Sequence, residues 1–198
     1  MFNSIDYTQV LPPQPDRSYA TAAVFLQREL PPLWLDAYYE NCRHDPNILQ
    51  INIDGFEHLF DFTSDPSRHS ADNPEDRLVV VYGLSKAPDK KRDASRIRGF
   101  LGPGLKDKDD EARDKGHYIA HSAGGGLDIN LFPQRPELNR GRSGAGKVFR
   151  KMERFAAAHP GTFVFARPIY SNDSWTPTEL EYGMLLPEQR LWVERFSN

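Results

Sequence analysis

Residues 114–153 read DKGHYIAHSAGGGLDINLFPQRPELNRGRSGAGKVFRKME, and the order of elements in this stretch decides the fold. Gly116 to Ser122 opens an ordered element that reads as a strand. Gly124-Gly125-Gly126 supplies a turn, because residues without a Cβ reach backbone angles closed to the others. Asp128 to Gln134 follows, and then a loop to Lys147. From Val148 to His159 the apolar residues Val148, Met152, Phe155 and Ala156 recur at helical spacing, and Pro160-Gly161 stops the helix.

Two short motifs inside the stretch point elsewhere and fall away. Gly141 to Lys147, GRSGAGK, matches G-x-x-x-x-G-K. A P-loop then needs Ser or Thr to place a hydroxyl on magnesium, and a buried strand before the loop. Here Val148 follows, and PQRPELNR precedes. A nucleotide-hydrolysing reading is rejected, and the loop is read as cationic, with Arg140, Arg142 and Lys147 near phosphate. His117 and His121 stand four apart, a spacing that holds zinc on a helix. The glutamate of HExxH is missing, and the glycines on either side argue against a helix.

The informative unit is longer. Asp114-Lys115-Gly116-His117 is followed by Asn130-Leu131-Phe132-Pro133-Gln134, then by Leu138-Asn139-Arg140-Gly141, then by Phe149-Arg150-Lys151-Met152-Glu153. This order resembles the DNA/RNA non-specific endonucleases of the ββα-metal (His-Me finger) superfamily. Their pattern is D-R-G-H, N-x-x-P-Q, a further Asn before Gly, then an aromatic and a Glu on a helix. The resemblance covers roughly residues 76–170.

The chemistry of phosphodiester hydrolysis explains such residues. The diester repels hydroxide and its leaving alkoxide is poor, so one magnesium ion that neutralises charge lowers the barrier. An imidazole, with an ordinary pKa of about 6.5, takes a proton from water near neutral pH. The resemblance implies His117 as that base and Asn139 as the direct ligand of Mg²⁺, with Mn²⁺ able to substitute. It implies that Glu153 holds the waters around the ion and that Asn130 orients the site, through the His117 backbone. An upstream arginine, Arg96 or Arg98, would clamp phosphate, with Lys115, Arg140 and Lys147 as further substrate contacts. The chain departs from the family at Lys115, which keeps the charge of an arginine but loses its planar fork. It also departs in the Gly/Lys/Arg insertion between Asn139 and Phe149, and in Ala157, where the family often has arginine. Taken singly, Asp114 could cap a turn, Asn139 could form an Asx-turn, and Glu153 could lie on a solvated helix face.

Outward from this unit, charge is unevenly spread. The 198-residue chain has a net charge of −3, yet residues 86–154 hold 17 Lys/Arg against 10 Asp/Glu, and the rest holds 8 against 18. A basic middle points to an anionic partner. Mean hydropathy is −0.65. No apolar run approaches the roughly 18 residues of a membrane helix. The start, MFNSIDYTQVLPPQP, lacks the basic and apolar regions of a secretory signal. The expected location is the cytoplasm, or export without a classical signal peptide. The single Cys42 excludes an internal disulfide or a multi-cysteine zinc site, and reads as a small hydrophobe.

Residues 1–15 read as an irregular arm, and residues 16–42 as a helix in two pieces broken at Pro31-Pro32. Ile48 to Phe60 reads as a strand, or as a hairpin turning at Asp54-Gly55. Residues 64–76 form a loop, residues 78–84 (LVVVYGL) a central strand, and residues 85–114 an extended surface segment. Residues 162–170 and the region 179–186 read as strands, and LWVERF as a short closing element. The expected fold is α+β: a ββα-metal nuclease core over residues 76–198, packed on an antiparallel sheet, with residues 1–75 as an N-terminal accessory region. The expected function is Mg²⁺-dependent cleavage of DNA, RNA or both without strong sequence preference, leaving 5′-phosphates. A bacterial toxin or effector role, with an immunity or inhibitor protein as partner, fits the same chemistry. The rival reading is a degenerate module that binds nucleic acid without cutting it.

Overall fold

The computed structural model describes residues 5–11, 17–62, 75–88 and 112–198. The expected loop at 64–76, most of the charged segment 85–114, and Arg96 and Arg98 fall largely or wholly outside these residues. Eight strands and three helices are described. The run read as a central strand is β3 (Arg77–Leu84), buried at every position but the last. Such a strand needs both faces covered, and the sheet order shows how: β1-β2-β3-β6-β7-β8, with every neighbouring pair antiparallel. β1 (Ile48–Ile53) and β2 (Phe56–Asp61) form a hairpin rather than one strand. Asp54 and Gly55 turn it with φ of +52° and +84°, the left-handed pair that matches the strands' twist. β6 (Phe163–Ile169), β7 (Glu179–Leu185) and β8 (Leu191–Ser197) complete the sheet.

One face is covered by α1 (Tyr19–Tyr39). Its stripe of Ala22, Ala23, Leu26, Leu30, Trp34 and Tyr38 packs on Val80, Tyr82, Phe163 and Phe165. The expected break at Pro31-Pro32 does not occur, and the helix runs through both prolines. Each proline removes one N–H from the ladder. The carbonyls one turn back, of Gln27 and Arg28, lose their partners; Pro32 and Arg28 are exposed, Pro31 and Gln27 half-buried. Leu30 and Trp34 stay buried on either side, and sheet packing carries the helix across the defect. The region 1–75 thus supplies α1, β1 and β2 to the central sheet.

The opposite face carries the segment that holds the candidate site residues. β4 (Asp114–His117) pairs antiparallel with β5 (Leu131–Gln134) as a separate two-stranded sheet. Next come α2 (Pro136–Asn139) and α3 (Gly144–Ala158). Tyr118, Ile119, Phe132, Leu138, Phe149 and Met152 from this segment pack with Val81, Val164, Leu180 and Tyr182 of the sheet. The segment leaves after β3 and returns before β6, which are paired neighbours. Ser85 and residues 161–162 fasten the two ends: Ser85 N–H donates to the Thr162 carbonyl (2.8 Å) and Gly161 N–H to the Ser85 carbonyl (2.6 Å). Among the described residues no helix is long and apolar enough to cross a membrane.

Candidate active site

The hairpin sets the register of the site. Asp114 lies opposite Gln134, Gly116 opposite Phe132 and His117 opposite Leu131. Gly116 is required by close approach: a Cβ there would stand 2.3 Å from Gln134 Oε1 and 2.6 Å from Gln134 Cβ. His117 ends the strand and is buried. The expected strand through Ser122 stops here, and residues 121–123 form a 3₁₀ turn instead.

Asn130 explains the stop. Its side-chain oxygen accepts from Ile119 N–H (3.0 Å), and its amide donates to the carbonyls of Ile119 (2.9 Å) and Gly126 (2.8 Å). Its own carbonyl accepts from Tyr118 N–H (2.9 Å). A β ladder would need the same Ile119 groups. Asn130 therefore holds the two residues that follow His117, whereas the resemblance placed it on the His117 backbone. Gly125 closes under Ile119, where a Cβ would stand 1.9 Å from the carbonyl oxygen.

Asn139 ends α2, and its amide nitrogen donates to Asp114 Oδ2 at 3.0 Å. The guanidinium of Arg140 grips the same carboxylate by both oxygens, through Nε to Oδ2 (2.8 Å) and Nη2 to Oδ1. Burial pushes the Asp114 carboxyl upward, but the bonds from Arg140 and Asn139 outweigh it and hold the pKa below its ordinary value. Arg140, expected on substrate, thus has its fork directed at Asp114.

Glu153 lies on α3 and is 7% exposed, so it does not sit on a solvated face. Arg150 Nη1 donates to its Oε2 at 2.8 Å. Burial raises the Glu153 pKa, and the Arg150 charge opposes that rise without cancelling it. Sequence reasoning missed Arg150; its one signal was the i, i+3 spacing to Glu153. It also missed Asn198, whose side chain accepts from Arg135 N–H (2.9 Å) and donates to the Pro133 carbonyl (2.9 Å), fastening the junction of β5 and α2. No local pattern announces that contact.

The GRSGAGK loop joins two helices. Gly141 turns the chain at φ +68°, and Ser143 Oγ caps α3 by accepting from Gly146 N–H (2.9 Å). Gly146 lets α3 approach α2, since a Cβ would stand 2.4 Å from the Glu137 carbonyl oxygen. A P-loop wraps from a strand into a helix; this corner does not. Lys147 is exposed on the first turn of α3, and Lys115 is half-buried on β4. His117 and His121 stand on a strand and a 3₁₀ turn, not on one helix face. Among the described residues, one group of three His, Cys, Asp or Glu side chains has ligand atoms within 4.8 Å of one another: Cys42, His44 and Asp61.

No family model matches the chain, and no curated protein matches it. Among solved structures it is similar to a zinc-bound structure of the Sda1 nuclease, with a TM-score of 0.39 and 18% identity over 77% of this chain and 74% of that one.

Proposed function

We propose that this chain is a metal-dependent nuclease that hydrolyses DNA, RNA or both without strong sequence preference. The observation that carries the reading is the orientation of Asn139. Its amide nitrogen is engaged by Asp114, so the side-chain oxygen is the atom left for a hard cation, beside the strand that ends in His117. The donor set fits Mg²⁺ or Mn²⁺: an amide oxygen from Asn139, and a buried carboxylate, Glu153, with one oxygen taken by Arg150. A bound cation supplies charge neutralisation at the phosphate and at the departing oxygen.

The chain's own residues do the rest. His117 takes a proton from the attacking water as its oxygen bonds to phosphorus. The bond from phosphorus to the 3′-oxygen breaks, the 5′-phosphate stays on the product, and solvent protonates the leaving oxygen. Asn130 holds residues 118–119 and so fixes the end of the His117 strand. Lys115 and Lys147 meet the phosphate backbone, a sequence-independent contact.

Digestion of plasmid DNA and of structured RNA, with Mg²⁺, Mn²⁺ or EDTA, tests the proposal. Cleavage that EDTA stops and either ion restores is the expected result. Salt-sensitive binding with no cleavage under any ion would replace this reading with a binding module.

A further inference from the structure

We propose a second metal site, for Zn²⁺, formed by Cys42 Sγ, His44 Nε2 and Asp61 Oδ2. It lies on the α1 side of the sheet, where Cys42 packs against the core under α1, and shares no residue with the proposed nuclease centre. His44 Nε2 stands 2.7 Å from Asp61 Oδ2, and Cys42 Sγ stands 3.3 Å from each ring nitrogen of His44. A sulfur equidistant from both nitrogens lies off the lone-pair line of either, so shared coordination with Nε2 requires the His44 ring to turn toward Cys42. Tetrahedral zinc, with bonds of about 2.0–2.3 Å, sets its ligand atoms about 3.4–3.6 Å apart. Nε2 and Oδ2 need to part by about 0.7 Å, and Sγ and Nε2 by about 0.2 Å.

The surroundings are those of a metal site. Asp61 is fully buried, and Tyr38 Oη donates to its Oδ2 (2.5 Å) and Asn47 N–H to its Oδ1 (2.9 Å), which fixes the carboxylate. His44 Nδ1 faces Asp173 Oδ1 at 3.7 Å. At that distance Asp173 is a negative charge beside the ring rather than a hydrogen-bond partner. Arg77 Nη2 aims a donor at the sulfur from 3.8 Å. Thiolate, imidazole and carboxylate together suit borderline-soft Zn²⁺ over Mg²⁺, and thiolate and carboxylate balance its charge. Cys42 and His44 follow α1, and Asp61 ends β2. The ion would therefore clasp the end of the helix to the sheet.

Co²⁺ is the probe, because a cobalt–thiolate bond absorbs in the near ultraviolet and Cys42 is the one cysteine of the chain. Chelator-treated full-length protein titrated with Co²⁺ should develop that band with one equivalent. Zn²⁺ should bleach it, and excess Mg²⁺ should not. Cys42→Ser should lack the band and lose the rise in melting temperature that Zn²⁺ gives the parent, while His117→Ala keeps both. Absence of the band in the parent overturns the site whatever the variants do. So does a Zn²⁺ stabilisation that survives in Cys42→Ser. Loss of the nuclease reading would show separately, as no cleavage under any ion with the cobalt spectrum intact.

Discussion

Asn139 and Asp114, the end of α2 and the start of β4, are joined by a 3.0 Å hydrogen bond that fixes which face of the asparagine amide is left over. Arg140 holds the same carboxylate by both oxygens, so Asp114 acts as the base plate of the proposed cation ligand. Asp114→Ala should raise the Mg²⁺ concentration needed for half-maximal cleavage and lower activity by about 10–100-fold, as losses of orienting partners do. A Mg²⁺ titration of cleavage rate reads this directly. The Asp114 carboxyl is held below its ordinary value, so its contribution to stability is complete above the unfolded pKa and lost only as pH falls through the lower folded one.

His117→Ala should lower cleavage by about 10²–10⁴-fold, the span of a lost general base. Substrate affinity measured in Ca²⁺ should hold. Parent-like turnover in this variant would remove His117 from the mechanism.

Glu153→Gln should separate activity from stability. A carboxyl whose folded pKa is raised holds its proton more tightly folded than unfolded. It favours folding only at acid pH, and that advantage is lost as pH rises through the folded pKa. The variant should melt higher than the parent at pH 7, the difference should vanish toward about pH 4, and cleavage should fall. Melting curves across that range, with a cleavage assay at each end, check both halves. A parent that outlasts the variant at pH 7 contradicts the assignment of a buried, unfavourably charged Glu153.

Lys147→Ala should weaken binding to DNA duplexes of any sequence and flatten the dependence of affinity on salt by about one unit of slope. No nucleotide hydrolysis should appear in either protein. Fluorescence anisotropy over a salt series measures the first point, and phosphate release from ATP the second.

Gly116→Ala should destabilise the hairpin by about 1–3 kcal/mol, typical of an overpacked core position, because its Cβ would overlap the Gln134 side chain. Thermal denaturation measures the loss; an unchanged melting temperature would show that Gln134 moves aside freely.

What the sequence made legible was local. Asp54-Gly55 named its own turn, LVVVYGL its own strand, and the spacing of Met152, Phe155 and Ala156 its helix. Where long-range packing decides, local rules misled. Pro31-Pro32 break an isolated helix, yet the sheet under Leu30 and Trp34 carries α1 across them. Arg140 read as a phosphate contact because nothing local shows that Asp114, on another element, takes its fork. Cys42 read as a hydrophobe, and it does pack against the core under α1, but its nearness to His44 and Asp61 arises only when β2 folds back beneath α1. Glu153 read equally well as a solvated position until burial against the sheet was known.

The clasp between Ser85 and residues 161–162 gives the site-bearing segment the geometry of a graft. Both ends are tied at one point of the sheet, and the 78 residues 85–162 separate β3 from β6 in the chain. Closing a loop that long costs about 2 kcal/mol more entropy than closing one of ten residues, and it delays the pairing of β3 with β6 in the folding sequence. The seam still depends on that segment for cover, because Val81 of β3 and Val164 of β6 are buried with its Tyr118, Ile119, Phe149 and Met152. A lineage could lengthen the segment or re-arm its polar positions without re-threading a single strand of the sheet, provided that apolar cover is kept.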